Sequence, residues 1–153
     1  MDIKSGKTYP SCALSNFAPH PFVIDGVECN SMEGFLQSLK FKNPDMQKEV
    51  CKLVGFAAKK KGRGKGKRGQ SLWWQGEEIN RLDDEYQFLL DRAYEALGKN
   101  TKFKKALLAT GQAVLQHSIG KSKKKDTILT RSEFCGRLMR LRSQLRYEES
   151  KKS

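Results

Sequence analysis

Four polar residues that could take part in catalysis lie close together in the first third of the 153-residue chain: Ser31, Glu33, Gln37 and Lys40. Glu33, Gln37 and Lys40 are spaced i, i+4 and i+7, so a helix would place them along one stripe. Apolar side chains cover most of the remaining circumference of that helix, namely Met32, Phe35, Leu36 and Leu39. Because a buried carboxylate is costly unless it is paired or neutral, we expect the stripe to face a cavity. The alternative is a surface helix whose polar stripe is simply solvated.

Turn and cap signals around this stripe predict the elements that position it. Phe22–Ile24 and Val27–Cys29 are strand-prone and flank Asp25-Gly26, which predicts a hairpin with a type I′ turn. Asn30-Ser31 then caps a helix that is predicted to run to about Lys42. Further helices are predicted from Asn43 to Gly55, from about Asp83 to Leu97, from Thr101 through Leu115, and from Thr130 to Arg146. We therefore expect an α+β, mainly α-helical fold, a single domain over residues 1–153 with a small N-terminal β-hairpin and a short polar C-terminal tail.

The charge of the chain favours a polyanionic partner. Lysine and arginine number 30 against 17 aspartates and glutamates, for a net charge of +13, and such an excess favours nucleic acid or phosphorylated molecules. Seven basic residues fall in one glycine-rich window: Lys59, Lys60, Lys61, Arg63, Lys65, Lys67 and Arg68. This composition predicts a flexible loop over residues 59–70 that contacts nucleic acid or phosphate, with a solubilising loop as the alternative. A second basic cluster comprises Lys121, Lys123, Lys124 and Lys125.

Other features of the composition disfavour several classes of protein. The apolar runs are far shorter than the ~20 residues that cross a bilayer, and the N-terminus has no apolar segment typical of secretion, so we expect a cytoplasmic protein without a membrane partner. Four scattered cysteines form no C-x-x-C pair (Cys12, Cys29, Cys51, Cys135). His20 and His117 match no ligand spacing and are interpreted as structural. The sequence thus predicts no metal and no other cofactor.

An ordered set of short motifs resembles the NADAR family, the YbiA-like N-glycosidases. The set begins with Leu14–Phe22 (LSNFAPHPF), continues with Asp25-Gly26-Val27, and reaches Ser31-Met32-Glu33 with Gln37 and Lys40. Further matches are Ala57-Ala58-Lys59, a tryptophan in mid-chain, Leu107–Gly111 and Leu138–Arg142. No single motif is specific, but together they cover most of the chain in the family's order. The resemblance implies a YbiA-like fold.

Two positions depart from the family pattern. Many members have histidine after the helical glutamate, where this chain has Gly34. Many also have D-x-x-W-G before the last helix, where this chain keeps only Asp126. Glu133 is a substitute candidate for that acid, although Thr130-x-x-Glu133 is also a capping box.

The activity that the resemblance implies is hydrolysis of a ribosyl C–N bond in a nucleotide-like substrate, such as ADP-ribose attached to guanine or a phosphoribosylamino-pyrimidine of riboflavin synthesis. Breaking this bond develops oxocarbenium character on the sugar, which a positioned carboxylate can stabilise. Glu33 is accordingly the predicted acid/base or electrostatic group, and Lys40 its partner or a nucleophile. The main alternative is a nucleic-acid-binding module that uses the basic loop without catalysis, and a third is an interaction protein with no ligand.

Six residues are predicted to bind the substrate: Asn16, Phe17, Ser31, Gln37, Trp74 and Arg81. Asn16 could hydrogen-bond the ribose or base, or else form an Asx-turn. Trp74, favoured over Trp73 by its family position, could stack on the base, while the other tryptophan lies in the core. Arg81 is a candidate phosphate contact or a solvated side chain. Modified DNA or RNA is a further candidate partner, because the basic loop could recruit a hydrolase to it.

Overall fold

The computed structural model of the protein describes residues 1–65 and 68–152 and contains helices and two-stranded hairpins in alternation. In chain order the elements are α1 (Ser11–Leu14), β1 (Phe22–Ile24), β2 (Val27–Cys29), α2 (Met32–Ser38), α3 (Pro44–Cys51), α4 (Gly55–Gly62), β3 (Ser71–Trp74), β4 (Glu77–Asn80), α5 (Asp84–Leu97), α6 (Thr101–Ala109) and α7 (Arg131–Ser150). Short 3₁₀ turns lie at Arg68–Gln70 and Lys124–Asp126. The predicted α+β, mainly helical fold is confirmed.

The first hairpin has the predicted bounds and turn. Strands β1 and β2 pair antiparallel, with Phe22 opposite Cys29 and Ile24 opposite Val27. Asp25 (φ 48°) and Gly26 (φ 79°) both adopt positive φ, as a type I′ turn requires. The prediction for this hairpin is therefore confirmed residue by residue.

A second hairpin, β3–β4, was not predicted. Its strands pair from Ser71 opposite Asn80 to Trp74 opposite Glu77, and Gln75 (φ 53°) and Gly76 (φ 87°) form a turn with the same signs. The signal was present, because Gln75-Gly76 separates the strand-prone Leu72-Trp73-Trp74 from Ile79. A positive φ is unusual at glutamine, so this dipeptide is a weaker hairpin signal than Asp25-Gly26.

Several helix bounds differ from the predictions, and tertiary contacts explain the differences. Helix α2 ends at Ser38 rather than near Lys42, and the Leu39 carbonyl accepts a hydrogen bond from Trp73 N (2.9 Å) in β3. Helix α6 ends at Ala109 rather than beyond Leu115, because Gly111 (φ 60°) turns the chain toward the N-terminus. Helix α7 continues to Ser150, so most of the predicted polar tail is helical.

The basic segment also begins differently from its prediction. Residues 59–62 belong to helix α4, so the predicted loop at 59–70 is wrong over its first residues. Alanine and lysine are good helix formers, and Ala58 is fully buried, which anchors the helix on the core. Lys67, one of the predicted phosphate contacts, lies outside the described residues.

Helix α2 lies against three other elements and carries the polar stripe into the protein. It packs on α3, α4 and β2, and its apolar residues Phe35, Leu36 and Leu39 are at most 2% exposed. Gly34 has no room for a side chain, because a Cβ there would lie 2.6 Å from the Leu53 carbonyl oxygen. The close approach of α2 to the α3–α4 connection thus accounts for glycine where many NADAR members have histidine. In the part of the chain described above, no helix has the length and apolar character to cross a membrane.

Candidate active site

A pocket of about 690 Å³ opens beside the polar stripe of α2. Its walls are formed by residues 4–5 and 15–17, the stripe of α2, two side chains of α4, and residues from 117 to 129. Pockets of roughly 300–1,000 Å³ accommodate ligands of drug or nucleotide size. The predicted cavity at the stripe is therefore present, and segments far apart in the sequence meet around it.

Glu33 lies half-buried in this pocket, held by its backbone and its side chain. Its N–H donates to the Asn16 carbonyl (2.9 Å), and its Oε1 accepts a hydrogen bond from Gln37 Nε2 (3.2 Å). Burial raises the pKa of Glu33 above its ordinary value, although the Gln37 hydrogen bond and the charges of Lys59 and Lys40 partly oppose the rise. A carboxyl with a raised pKa is suited to exchange a proton near neutral pH.

Gln37 is an amide with an unmet hydrogen-bonding atom. It is only 7% exposed, and within residues 1–65 and 68–152 its Oε1 has no hydrogen-bond partner. Gly62, at the end of α4, lies directly against it, since a Cβ at Gly62 would overlap that oxygen. Buried polar atoms without partners are rare and costly, so the hydrogen bonds of the stripe are incomplete within the described residues.

Lys40 completes the stripe from a position just beyond the helix. Its N–H donates to the Gln37 carbonyl (3.2 Å), which continues the last turn of α2, and its Nζ lies 3.5 Å from the Gly62 carbonyl oxygen. The side chain lines the pocket together with Glu33 and Gln37. The three predicted stripe residues therefore share one cavity.

Asn16 and Phe17 form the facing wall of the pocket. Asn16 Oδ1 accepts a hydrogen bond from the buried Tyr94 hydroxyl (2.8 Å), which fixes the amide and leaves its Nδ2 directed away from Tyr94 as a donor. The Phe17 ring packs edge-to-face on Phe56, with centroids 5.5 Å apart, and Lys59 Nζ lies 6.0 Å from the Phe17 centroid. Both predicted residues line the pocket, with a cation and a second aromatic ring beside them.

Ser31 and Trp74 were predicted to bind substrate, but the structure places both in the framework of the fold. Ser31 is fully buried and caps α2, since its Oγ accepts from Gly34 N (3.0 Å) and donates to the Leu53 carbonyl (2.9 Å). Trp74 is 6% exposed, packs edge-to-face on Phe35, and donates its Nε1–H to Asp25 Oδ2 (2.9 Å). Neither side chain lines the pocket, so these two assignments are corrected.

The assignments of Arg81 as a phosphate contact and of Glu133 as a substitute acid are also corrected. The two side chains satisfy each other's hydrogen bonds. The guanidinium is fully buried and donates to both Glu133 oxygens, at 3.1 and 2.6 Å. Glu133 also forms the capping box with Thr130 at the start of α7. Burial alone would raise the pKa of Glu133, but hydrogen bonds from Arg81, Thr130 and Gln87 hold it below its ordinary value. A phosphate cannot reach this arginine, and this carboxylate has no access to the pocket.

The remaining candidate acid and the basic segment lie at the edge of the pocket. Asp126 is exposed and lines it, as does Lys121. The described basic side chains of the predicted phosphate-contact segment are all exposed to solvent: Lys59, Lys60, Lys61, Arg63 and Lys65. For Arg68 only the backbone is described, at the start of a 3₁₀ turn. Among these cations, Lys59 lines the pocket itself.

His117 lines the pocket, although its sequence spacing led to a structural interpretation. Its Nδ1 lies 2.8 Å from the Ile3 carbonyl oxygen, which can only accept, so Nδ1 carries a proton. The N-terminus holds the histidine in place, because Asp2 pairs with Gln116 in a parallel bridge and accepts hydrogen bonds from Ser118. This pairing joins residues 2 and 116, and no local pattern predicts it. Lys4 and Phe56 reach the pocket in the same non-local way.

The described residues contain no group of three or more histidine, cysteine, aspartate or glutamate side chains that could hold a metal ion. The titratable groups that meet in the pocket are Glu33, Lys40, Lys59, His117, Lys121, Asp126 and Lys4. They combine two carboxyl groups with an excess of positive charge. This arrangement suits acid/base chemistry on a ligand that carries phosphate.

Known proteins resemble this chain in sequence and in fold. A solved NMR structure, that of the Escherichia coli protein YbiA, matches with a TM-score of 0.62 over 97% of this chain and 86% of that one, at 21% identity. The uncharacterized 17.1 kDa protein of the Gp30-rIII intergenic region of Enterobacteria phage T4 is 43% identical over 150 residues, which cover 95% of this chain and 98% of the relative. The model of the bacteriophage protein GP30.3 family matches residues 8–143. The chain therefore has a YbiA-like fold and belongs to the bacteriophage GP30.3 family.

Proposed function

We propose that this protein is an N-glycosidase that hydrolyses a ribosyl C–N bond in a nucleotide-like substrate. The observation that carries the proposal is the pocket at the stripe, where Glu33, Gln37 and Lys40 meet Asn16. One buried acceptor of this set, Gln37 Oε1, lacks a donor among the described residues. Such an incomplete polar cluster is typical of a ligand site.

The resemblance to the NADAR family supports the same reaction, and the YbiA-like fold is consistent with it. The motif residues of that resemblance that reach the pocket are Ser15, Asn16, Phe17, Glu33, Gln37, Lys40 and Lys59. Candidate substrates are ADP-ribose attached to guanine and a phosphoribosylamino-pyrimidine intermediate of riboflavin synthesis. Both present a phosphorylated ribose joined to a nitrogen of a flat heterocycle, which suits a basic pocket with aromatic side chains.

The reaction requires a group that stabilises positive charge on the sugar or accepts a proton from the attacking water. The C1′–N bond breaks with its electron pair going to the base nitrogen, which takes up a proton, while a water oxygen bonds to C1′ and gives up a proton. In this proposal Glu33 stabilises the oxocarbenium-like sugar or accepts the proton of that water. Its raised pKa brings the two protonation states closer in free energy near neutral pH, so a proton can pass through this carboxyl.

The cations and aromatic rings of the pocket would bind the rest of the substrate. Lys40 can donate to a ribose hydroxyl or a phosphate, or attack C1′ as a nucleophile. Lys59 and Lys121 place further positive charge on the wall. Phe17 and Phe56 replace the predicted Trp74 as the stacking side chains, because they line the pocket and Trp74 does not.

A product assay tests the proposal. ADP-ribosylated guanosine and the riboflavin intermediate are incubated side by side with wild-type protein, and the released base and sugar are separated by chromatography and identified by mass. Glu33→Gln keeps the shape of the side chain but removes its charge, so we expect a roughly 10²–10⁴-fold loss of turnover with unchanged folding. Glu148→Gln, an exposed glutamate of α7, is the matched control and is expected to retain full activity.

Lys40 distinguishes two forms of the mechanism. Lys40→Ala is expected to lose activity in either form. Treatment of the turning-over wild-type enzyme with borohydride gives a stable adduct on Lys40 only if the lysine attacks C1′ and the sugar ring opens to an imine. The absence of an adduct would leave Lys40 an electrostatic and hydrogen-bonding role.

The alternative function is a nucleic-acid-binding module without catalysis, which the exposed basic residues favour. It predicts that wild-type protein releases no base from either substrate, and that Glu33→Gln binds nucleic acid as wild type does. Equal turnover by wild type and Glu33→Gln would remove Glu33 from the mechanism.

A further inference from the structure

Two basic segments that are far apart in the sequence lie beside each other in the fold. Segment one (residues 59–65) is the exposed end of α4 and the turn after it, and segment two (residues 121–125) precedes and enters the 3₁₀ turn at Lys124–Asp126. Gln70, five residues after the end of segment one, donates its Nε2–H to the Lys125 carbonyl (3.2 Å), a bond between residues 55 positions apart. Lys59 and Lys121 line one pocket, so the two segments lie near each other.

The candidate active site opens between these segments. Lys59 of segment one and Lys121 of segment two both line the pocket. Lys60, Lys61 and Arg63 of segment one, and Lys123 and Lys124 of segment two, are exposed to solvent. Within residues 1–65 and 68–152, none of these five exposed side chains forms a salt bridge. The positive charge of Lys60, Lys61, Arg63, Lys123 and Lys124 therefore remains for an external anion.

Apolar side chains at the same place indicate what kind of polyanion fits. Phe56 is 70% exposed and Ile119 is 67% exposed, and both border the pocket. Exposed aromatic rings beside a basic groove stack on unpaired bases, whereas a duplex keeps its bases paired and out of reach. A membrane surface would take the charge and the exposed ring but would leave the pocket between the two segments empty. The combination is therefore best matched by a single strand whose phosphates follow the lysines and whose bases face the pocket.

We propose that segments one and two form one binding surface for single-stranded nucleic acid, which crosses the mouth of the pocket from Lys60–Arg63 to Lys123–Lys124. The surface is an interaction site in its own right, and its existence does not depend on the glycosidase reaction. Binding is mainly electrostatic, so it should show little sequence preference and a strong dependence on salt.

Two charge-neutralised variants test whether both segments contribute. Variant one is Lys60→Gln/Lys61→Gln/Arg63→Gln, and variant two is Lys123→Gln/Lys124→Gln; none of these residues lines the pocket. The control, Lys99→Gln/Lys102→Gln/Lys105→Gln, removes exposed charges around α6 and changes the net charge as much as variant one does. Affinity for a fluorescent 20-nucleotide oligothymidine is measured by anisotropy over a series of salt concentrations.

We expect both variants to bind at least about tenfold more weakly at low salt, while the control stays within about threefold of wild type. Each lost phosphate contact should reduce the slope of log K against log salt by about 0.7, so the slope should fall by up to about 2 in variant one. Phe56→Ala should weaken binding of the single strand while leaving the salt slope unchanged. If variant two binds as tightly as wild type does, the proposal of a joint surface is overturned. If the control loses as much affinity as the variants do, binding depends on net charge alone and the proposal is overturned as well.

Two competitors test the chemical class of the partner. A hairpin duplex of the same length should compete more weakly than the single strand, and vesicles of anionic phospholipid should not displace the oligonucleotide. Equal competition by the duplex would overturn the stacking argument, and full displacement by vesicles would indicate a membrane-binding surface instead. Turnover of a small free substrate should persist in both variants, so the loss of binding is distinguishable from failure of the proposed reaction.

Discussion

Two largely buried polar clusters, the Arg81–Glu133 pair at the start of α7 and the stripe along α2, differ in how completely their hydrogen bonds are satisfied. In the Arg81–Glu133 pair, each guanidinium nitrogen donates a hydrogen bond, two to Glu133 and one from Nε to the Thr127 carbonyl (2.7 Å). In the α2 stripe, Gln37 Oε1 accepts none from the described residues. The first cluster is complete without a ligand, and the second is not.

The pKa values of the carboxyl groups in the two clusters shift in opposite directions. Burial tends to raise the pKa of both, but the partners of Glu133 reverse that tendency and lower its pKa, whereas those of Glu33 only reduce the rise. Glu33 was predicted as the catalytic group from the stripe and the family resemblance, and Glu133 was named as a substitute for Asp126 or a capping-box residue. The comparison teaches that a buried charge indicates a site only when its partners fail to satisfy it.

The largest effect that this comparison predicts is on stability. Arg81→Met leaves the Glu133 carboxylate buried without its partner, so we expect the free energy of unfolding to fall by ~3–5 kcal/mol. The double variant Arg81→Met/Glu133→Leu removes both charges and should recover a large part of that loss. Urea unfolding followed by circular dichroism measures both. If Arg81→Met unfolds at the wild-type urea concentration, the pair contributes no stability and the contrast with Glu33 is lost.

The second-largest effect is expected from Gly62→Ala, which acts on the stripe. A Cβ at Gly62 would overlap Gln37 Oε1, so Gln37 or α4 must shift, at a cost of about 1–3 kcal/mol together with loss of turnover. The control is Gly136→Ala, because a Cβ there meets nothing within 4 Å and alanine favours the α7 helix by up to ~1 kcal/mol. Normal turnover by a stable Gly62→Ala protein would show that the close contact with Gln37 does not position the site.

The parts of the fold that sequence could predict are those with local signals. The Asp25-Gly26 hairpin, the start of α5 after Asp83 and the capping box Thr130–Glu133 each depend on residues next to one another in the chain. The spacing of Glu33, Gln37 and Lys40 likewise predicted a shared face that does line a cavity. In these cases local geometry determines the outcome.

What could not be predicted depends on contacts between distant segments. His117 reaches the pocket through the pairing of residue 2 with residue 116, and Phe56 reaches it through packing against Phe17. Trp74 was assigned to the ligand because an aromatic side chain suits stacking. Only the tertiary structure shows that its ring already packs on Phe35 and that its N–H already donates to Asp25. Residue type alone does not distinguish a core tryptophan from a ligand-binding one.

Aromatic substitutions test that reassignment and should give a smaller effect. Phe56→Ala removes an exposed ring at the pocket, and loss of stacking worth ~1 kcal/mol raises KM about fivefold. Trp74→Phe removes the hydrogen bond to Asp25 and part of the buried packing on Phe35, so it should cost about 1–3 kcal/mol of stability and leave KM unchanged. Steady-state kinetics of the two variants shows which ring contacts the substrate. A raised KM for Trp74→Phe with an unchanged KM for Phe56→Ala would support the original assignment of Trp74.

The smallest predicted effect is the pH dependence of stability, which should have opposite signs at the two glutamates. The pKa of Glu33 is raised above its ordinary value of 4.5 by burial, so above pH 4.5 the folded protein retains this proton longer than the unfolded chain does. The contribution of Glu33 to the free energy of unfolding therefore falls as pH rises from 4.5 to the folded-state pKa, and it is constant above that. The pKa of Glu133 is lowered, so its contribution is fully present above pH 4.5 and is lost as pH falls through the folded-state pKa. Subtracting the urea-unfolding profile of Glu33→Gln from that of wild type should give a difference that declines with pH, and the same subtraction for Glu133→Gln should give one that increases. Profiles with the same sign would mean that the two carboxyl groups have similar environments, and that unmet hydrogen bonds do not distinguish the site from the framework.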